Sequence, residues 1–465
     1  MRSGFLTSLA LLAALLGLPA PAPAAEPNPA MRLQAARAEF LATLPAPLPA
    51  DPWPLRDPAA DATRSAELLA YDQAIAKARD WARGANGVDI LPRKGLWVRP
   101  YRRDAIALDV LEVMDNAQSL GITDLFVETF RGGRVNYLRG GTFPSRYSED
   151  LLAVYVKEGQ RRGIRIHAWL HTLDFGPDWA KARPDTLVLD GFGQPSGSTE
   201  RGSARVSPAL SEVHREVAEL IGESAARGVD GVMLDYLRYP TRLKGDDIDE
   251  SADPRNFFGY NLRQFEAALR RHPELATPEA RDFLRTGNLA REEQREDLMA
   301  RWKGALSEDL ESLIGVARDR ATRENVALGA AYFPDYYFHP HDTRVQESRR
   351  WAPQFDLLSP MCYQYYLDEY PGPYGTYTIN RALEIADDTI ARLPANKAPL
   401  LMPSFSAEVP GTPYERVFHH RTLREQTAFL KGRVFDKAFP RIGGVAYFSY
   451  GWIFLDSEAR RKAAG

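Results

Sequence analysis

The chain has 465 residues, of which 44% are hydrophobic, 26% are charged and 11% are aromatic, and its formal net charge is −3. This length and composition support one large folded domain or several ordinary ones and exclude a wholly disordered polypeptide. Because there is no basic excess, we expect neither nucleic acid nor an anionic membrane surface as a partner.

Residues 1–24 have the features of a secretory signal peptide. Arg2 gives the positively charged start, residues 5–18 form a short run rich in Leu and Ala, and residues 22–24 form a small-residue cleavage site. The apolar run is shorter than the roughly 20 residues that a membrane span needs, so an uncleaved N-terminal anchor is the less favoured alternative. We therefore expect an exported protein, periplasmic or extracellular, with no integral membrane segment after processing.

Cys362 is the only cysteine in the sequence. An exported protein with one cysteine has no internal disulfide, so a large core must supply its stability. The surrounding residues 357–363 are apolar, and a thiol buried in apolar surroundings is inert. We interpret Cys362 as a small buried hydrophobe rather than a nucleophile.

The order of predicted strands and helices becomes regular after a leader. Residues 25–92 form this leader, which is rich in Ala and Pro and contains one predicted helix at 63–83. From residue 95 onward, short apolar runs alternate with amphipathic helical stretches. The apolar runs comprise residues 95–99, 122–128, 163–171, 228–235, 326–333, 355–363, 399–403 and 442–449. The helical stretches comprise residues 105–120, 150–162, 211–227, 306–323, 379–393 and 422–439.

Eight strand-like runs separated by crossover helices predict a parallel sheet closed into a barrel. Three of the runs follow a helix directly after Gly121, Gly163 or Gly228, which is typical of a helix C-cap before a buried strand. Residues 241–300 are longer than one connecting helix requires. We predict an α/β fold in which a (β/α)8 TIM barrel spans 93–460, with an insertion after strand 4.

Barrel enzymes carry catalytic groups just past the C-terminal ends of their strands. In this sequence the runs end in carboxylates set among aromatic, arginine and histidine side chains, the residue types that stack on sugar rings and bind their hydroxyl groups. The expected substrate contacts are Trp97, Arg99, Arg131, His167, Trp169, His171, Tyr236, Arg238, Tyr332, Tyr363, Tyr447 and Trp452. A hydrophobic barrel rim covered by loops is the alternative interpretation of the aromatic residues.

Three carboxylates are candidate catalytic residues, and two is the minimum for acid/base hydrolysis of a glycosidic bond. Asp235 ends a run that should be fully buried, so it is either functional or paired with Arg238, three residues further on. Glu128 ends the second run near Arg131 and leaves the same two alternatives. Asp335 follows the fifth run and is either a turn former or a site acid.

His167, Trp169 and His171 alternate along the third run and therefore share one side of the predicted strand. Two histidines on one face can bind a metal, but no further His or Cys cluster is placed to complete a site, so we expect no metal. The glycine-containing stretch 191–197 lacks the third glycine of a dinucleotide fingerprint. No cofactor is expected.

The order of these motifs resembles that of the bacterial glycosyl hydrolase-like family 10 over about residues 93–455. The most similar segment is 228–240, where the family has a hydrophobic strand ending in an Asp-Tyr-Ile-Arg-Tyr-Pro-like signature. Other similar segments are 143–145, 163–170, 355–363 and 443–449. The resemblance implies a barrel with glycoside hydrolase activity on bacterial polysaccharide and places Asp235 and Arg238 in its site. At the position of Glu128 the family often has Gln.

The leading hypothesis is hydrolysis of a β-linked, N-acetylated bacterial glycan by carboxylate acid/base chemistry. The predicted export and the family resemblance motivate this substrate class. A non-catalytic glycan-binding barrel would keep the aromatic residues but would need no paired acids. The third hypothesis is a metal-dependent hydrolase built on His167 and His171.

Overall fold

A computed structural model describes most of the predicted barrel. The described residues are 91, 93–101, 107–138, 141–196, 204–240, 257–286, 292–334, 345–363, 386, 390–391, 393, 398–406 and 442–451. The predicted signal peptide, the helix at 63–83, Asp335 and Trp452 lie outside these residues.

Strands and helices alternate within the described part of the chain, as the sequence predicts. The strands are β1 (Arg93–Val98), β2 (Asp124–Arg131), β3 (Arg134–Val135), β4 (Arg165–His171), β5 (Gly231–Asp235), β6 (Ala327–Tyr332), β7 (Leu357–Pro360), β8 (Leu400–Leu401), β9 (Ser404–Ser406) and β10 (Gly444–Phe448). The helices are α1 (Val110–Ser119), α2 (Leu151–Arg162), α3 (Gly176–Ala182), α4 (Ser211–Ala225), α5 (Leu262–Arg271), α6 (Pro278–Thr286), α7 (Glu292–Arg323) and α8 (Ser348–Trp351). None of the helices described has the length and apolar character needed to cross a membrane.

Parallel pairing joins the strands in the order β8, β7, β6, β5, β4, β2, β1, β10, β9, with the short β3 added antiparallel to β2. The two strands at the ends of this order, β8 and β9, are consecutive pieces of one strand interrupted at Met402 and Pro403. The two interrupting residues remain hydrogen-bonded to the neighbouring strands. Met402 N donates to Leu358 O of β7 at 2.9 Å, and Ala446 N of β10 donates to Pro403 O at 2.8 Å. The sheet therefore closes into an eight-stranded parallel barrel, which confirms the predicted fold class.

Strand β4 shows how the barrel separates its two apolar layers. Ile166, Ala168 and Leu170 pack in the outer layer, between the strands and the helices, whereas Trp169 packs in the barrel interior. Successive side chains of a strand face opposite sides, so one strand supplies both layers. The orientation predicted for the third apolar run is confirmed.

The glycine at the end of α2 explains the helix-to-strand transitions. Gly163 is the C-cap of α2, with φ of 67° in the left-handed region that other residues rarely adopt. Its N–H donates to the backbone of Gly159 within α2, and β4 begins two residues later. Gly121 and Gly228 also have positive φ, of 64° and 81°, as the sequence pattern predicts.

A buried carboxylate holds the first residues of three strands together at the N-terminal end of the barrel. Asp124 begins β2 and contacts Arg93, Arg165 at 2.9 Å and the Nε2 atom of His167 at 2.9 Å. Burial acts most strongly on this carboxyl group and opposes its ionisation, but the hydrogen bonds from Arg165, His167 and Arg93 outweigh it and hold the pKa of Asp124 well below its usual range. The group stabilises the sheet where its strands begin.

Helices α5 and α6 occupy the predicted insertion between β5 and β6, and they precede the 32-residue helix α7. The insertion is tied to the chain just past β5 by a buried carboxylate, Asp309 on α7. Tyr239 donates a hydrogen bond to this carboxylate at 3.3 Å, and Arg271 on α5 pairs with it at 2.6 Å. The insertion thereby fixes the segment that follows Asp235.

Cys362 lies just past β7 and is fully buried. Burial raises the pKa of its thiol well above the ordinary value, so the group stays protonated and uncharged at neutral pH. The interpretation of Cys362 as a buried hydrophobe is confirmed.

Candidate functional site

The carboxyl ends of β2, β4 and β5 bring two of the predicted acids into one cluster. Glu128 lies near the end of β2 and Asp235 ends β5, while β4, which ends at His171, runs between them. Backbones two strand spacings apart are separated by roughly 10 Å along the sheet. We call the surrounding group the strand-end cluster. It comprises Arg99, Tyr101, Glu128, Arg131, Trp169, His171, Arg205, Asp235, Tyr236 and Arg238.

Glu128 is fully buried at the centre of a group of cationic and polar side chains. The Tyr101 hydroxyl donates a hydrogen bond to its Oε1 atom. Its Oε2 atom lies 3.3 Å from His171 Nε2, 3.4 Å from Arg99 Nε and 3.7 Å from Arg131 Nη1. Arg131 Nη1 also donates to the Tyr101 hydroxyl at 2.8 Å. The carboxylate therefore has several partners, of which the predicted Arg131 is one.

These partners keep Glu128 ionised. Burial is the strongest influence and opposes ionisation, but the close approach of His171 and the charges of Arg99 and Arg131 outweigh it and lower the pKa of Glu128 to about 2. Burial, followed by the Glu128 charge, raises the pKa of the Tyr101 hydroxyl above its ordinary value. A carboxylate ionised at neutral pH is suited to electrostatic stabilisation rather than to proton donation.

We expect Glu128→Gln to lower the free energy of unfolding at pH 7 by about 3 kcal/mol, because it leaves partly buried cations without their counter-charge. The native pKa of about 2 lies below the ordinary value of 4.5. The ionised group therefore stabilises the fold above pH 4.5, and this contribution is lost as the pH falls through 2. Urea unfolding measured across this pH range should show the free energies of unfolding of the native protein and of Glu128→Gln converging near pH 2. Glu149→Gln, at an exposed position, serves as the control. A stability difference between Glu128→Gln and the native protein that stayed the same at every pH would contradict the expectation.

Asp235 is held mainly by neutral N–H donors. It is 7% exposed. Trp169 Nε1 donates to Oδ2 at 3.0 Å, and the backbone N–H of Tyr236 donates to Oδ1 at 2.6 Å. The nearest Arg238 nitrogen lies 4.0 Å from Oδ1, at the outer limit of an ion pair. These contacts orient the carboxylate at the strand end without a close counter-ion in Arg238.

Tyr236 connects the surroundings of the two acids. Its ring stacks on that of His171, with centroids 4.3 Å apart and planes at 21°. The guanidinium groups of Arg205 and Arg238 lie 4.3 and 4.5 Å from the ring centroid. Its φ of 55° is left-handed, a conformation that costs energy for a residue other than glycine and clusters at functional sites.

Aromatic rings form the floor of the strand-end cluster inside the barrel. The Trp97 and Trp169 centroids are 5.0 Å apart, and those of Trp169 and Phe448 are 6.1 Å apart. The guanidinium of Arg99 lies 5.8 Å from the Trp169 ring and 5.3 Å from the Phe448 ring, on which Tyr363 stacks at 5.4 Å. Trp97 and Trp169 are only 2% and 1% exposed. Both rings are packed inside the barrel, which leaves little of either surface for the sugar contact that we expected.

Three expected substrate contacts lie away from the strand-end cluster. His167 is part of the Asp124 group, four residues before the end of β4. Tyr332 and Tyr447 face the outer layer, and the Tyr332 ring lies 6.0 Å from that of Trp351. The reason is the alternation of strand side chains: position at a strand end does not decide whether a residue faces the interior.

The structure adds two residues that sequence reasoning missed. Tyr101 contacts Glu128 from the segment after β1, two residues past Arg99. That spacing was a usable signal, because residues two apart in an extended segment share one side. Arg205 lies in the connection between β4 and α4 and reaches the ring of Tyr236, a position for which no sequence pattern gave a signal.

The two histidines of β4 do not form a common metal site. His167 and His171 are four residues apart on one strand, which corresponds to about 13 Å. Each contacts a different carboxylate, Asp124 or Glu128. Among the residues that the structure describes, no three His, Cys, Asp or Glu side chains are grouped to hold a metal ion. The hypothesis that His167 and His171 bind one metal together is therefore wrong.

Comparison with known proteins gives similarity at the level of the fold. No family model matches the chain, and no curated protein matches it. The glycoside hydrolase domain of PgaB (BpsB) from Bordetella bronchiseptica is similar with a TM-score of 0.53 and 15% identity, over 79% of this chain and 98% of that domain. A β-galactosidase from the haloarchaeon Halorubrum lacusprofundi has a TM-score of 0.50 and 14% identity, over 77% of this chain. This chain spans about half of that enzyme, 52% of its length.

Proposed function

We propose that the protein is an exported glycoside hydrolase, with a mature chain beginning near Ala25, that cleaves a β-linked, N-acetylated polysaccharide of the bacterial envelope or extracellular matrix. The closed barrel and the acids at its strand ends support a hydrolase. The similarity to the PgaB glycoside hydrolase domain in fold, and the resemblance of the motifs to glycosyl hydrolase-like family 10, support a glycan as substrate.

The placement of Asp235 is the observation that carries the proposal. Its carboxylate lies at the C-terminal end of a barrel strand, above the aromatic floor, and both of its oxygens are oriented by N–H donors. Rigid orientation of a carboxylate is what acid/base or nucleophilic attack at a sugar carbon requires. In this proposal Asp235 is the essential carboxylate, and the ionised Glu128 holds Arg99 and Arg131 in place at the strand ends. The predicted Asp335 is the proposed proton donor.

Product analysis tests the proposal. Purified full-length protein is incubated with peptidoglycan glycan strands and with a set of bacterial exopolysaccharides, and new reducing ends are identified by mass spectrometry. We expect new reducing ends from at least one acetamido-sugar polymer. Binding without any new reducing end would favour the non-catalytic glycan-binding barrel.

A further inference from the structure

Two arginines at the mouth of the barrel share a single counter-ion. Arg99 and Arg131 approach the same oxygen of Glu128, at 3.4 and 3.7 Å. Within the described ranges, Glu128 is the only carboxylate within 4.0 Å of either guanidinium. Counted over the residues that the structure describes, the pair carries two positive charges against one negative charge.

The donors of this pair outnumber the acceptors that the described part of the chain offers them. Each guanidinium has five N–H donors, whereas the other oxygen of Glu128 already accepts from Tyr101. Arg131 Nη1 donates a hydrogen bond to the Tyr101 hydroxyl. Among the residues described, the remaining contacts of the Arg99 guanidinium are with the rings of Trp169 and Phe448, which carry no negative charge to pair with it.

The excess charge faces outward. The Arg99 and Arg131 side chains are 33% and 42% exposed, whereas Glu128 is fully buried beneath them. A guanidinium that is half-buried over aromatic rings has lost part of its hydration, so a second anion that supplies hydrogen bonds is favoured there. A carboxylate is planar and accepts two parallel N–H bonds from one guanidinium, a geometry that an acetamido or hydroxyl group does not offer.

We propose that the glycan bears a carboxylate on the sugar bound beside β1 and β2, and that this carboxylate binds Arg99 and Arg131. The inference rests on the proposed function and narrows its substrate to acidic polysaccharides, in which a uronate or another carboxyl-bearing sugar adjoins the bond that is cut. Asp235 lies across β4 from this pair, so the acidic ring and the cleaved bond occupy neighbouring positions along the strand ends.

The experiment measures binding without turnover, by calorimetry with the full-length Asp235→Asn protein. The probes are oligosaccharides of β-linked alternating glucuronate and N-acetylglucosamine and of β-linked alternating N-acetylmannosaminuronate and N-acetylglucosamine, each paired with its carboxyl-reduced neutral form. We expect at least one acidic probe to bind about tenfold more tightly than its neutral partner, the effect of one charge-assisted hydrogen-bonded contact. Adding Arg131→Gln should lower the ratio of acidic-form to neutral-form affinity to about one.

Arg134→Gln is the matched control, because Arg134 is an exposed arginine on β3 that pairs with Asp178. It should leave the preference intact. Equal affinity within every acidic and neutral pair, the absence of binding to every acidic probe, or an equal loss from Arg131→Gln on both forms would overturn the proposal. Failure of the proposed function has a different signature: a preserved preference for the acidic form, but no new reducing ends from the native protein.

Discussion

Replacing Asp235 by Asn should lower the rate of glycan hydrolysis about 10³-fold, the range typical of losing a positioned acid or base, while the protein still folds and binds glycan. An amide has nearly the shape of the carboxylate but neither attacks a sugar carbon nor carries a proton at neutral pH. The measurement is kcat on any glycan that the native protein cleaves, together with glycan affinity. Unchanged hydrolysis on every such glycan would contradict a catalytic role.

The same substitution should also have a modest structural cost. Both oxygens of Asp235 accept from N–H donors, those of Trp169 and of the Tyr236 backbone, whereas Asn has one acceptor oxygen and one donor NH2 group. The NH2 group of Asn therefore faces one of these N–H donors, which lowers the free energy of unfolding by about 1–3 kcal/mol. The matched control is Asp230→Asn, one residue before the same barrel strand, where the carboxylate accepts from Ile166 N at 2.8 Å, and it should retain full activity.

Two other outcomes would assign Asp235 differently. A loss of about 3–5 kcal/mol in the free energy of unfolding, with kcat retained, would make Asp235 half of a structural pair with Arg238. A loss of activity confined to acetamido sugars would indicate that Asp235 orients an N-acetyl group of a substrate that supplies its own nucleophile. The proton donor in that mechanism would be another acid.

The barrel was predictable because its signals are local. The segment ending at Gly163 shows this, since the helical period, the left-handed glycine and the following β-branched run all lie within about 20 residues of one another. The interruption of the seventh barrel strand at Met402 and Pro403 was not predictable, because that strand is defined by its pairing with β7 and β10 on either side.

The candidate site was predictable only in part, for the same physical reason. Position at a strand end is a local property, and the structure places Glu128, His171 and Asp235 near the ends of three neighbouring strands. Burial is a property of several strands at once, which the sequence of one strand does not contain. The sequence therefore predicted Trp169 as a substrate contact, although Trp97 and Phe448 from other strands cover its ring.

Trp169→Ala should lower the free energy of unfolding by about 3–5 kcal/mol, because it empties a large packed volume inside the barrel. The ring is 1% exposed and lies among Trp97, His171 and Phe448. An exposed ring that only stacked on sugar would behave in the opposite way, with reduced glycan affinity and unchanged stability. Urea unfolding and glycan titration of the same variant distinguish the two.

Trp169→Phe separates packing from the orientation of Asp235. Phe keeps most of the packed volume but removes the Nε1–H that donates to Asp235 Oδ2 at 3.0 Å, so we expect a smaller loss of stability, about 1 kcal/mol. Because the freed carboxylate can rotate away from its reactive orientation, kcat should fall about tenfold or more while KM stays within a factor of about two. Trp179→Phe is the matched control, since it removes a comparable N–H donor, to Thr186 at 2.9 Å, in the connection after β4. Equal kcat values for the two Phe variants would show that the Trp169 hydrogen bond does not position Asp235 for the reaction.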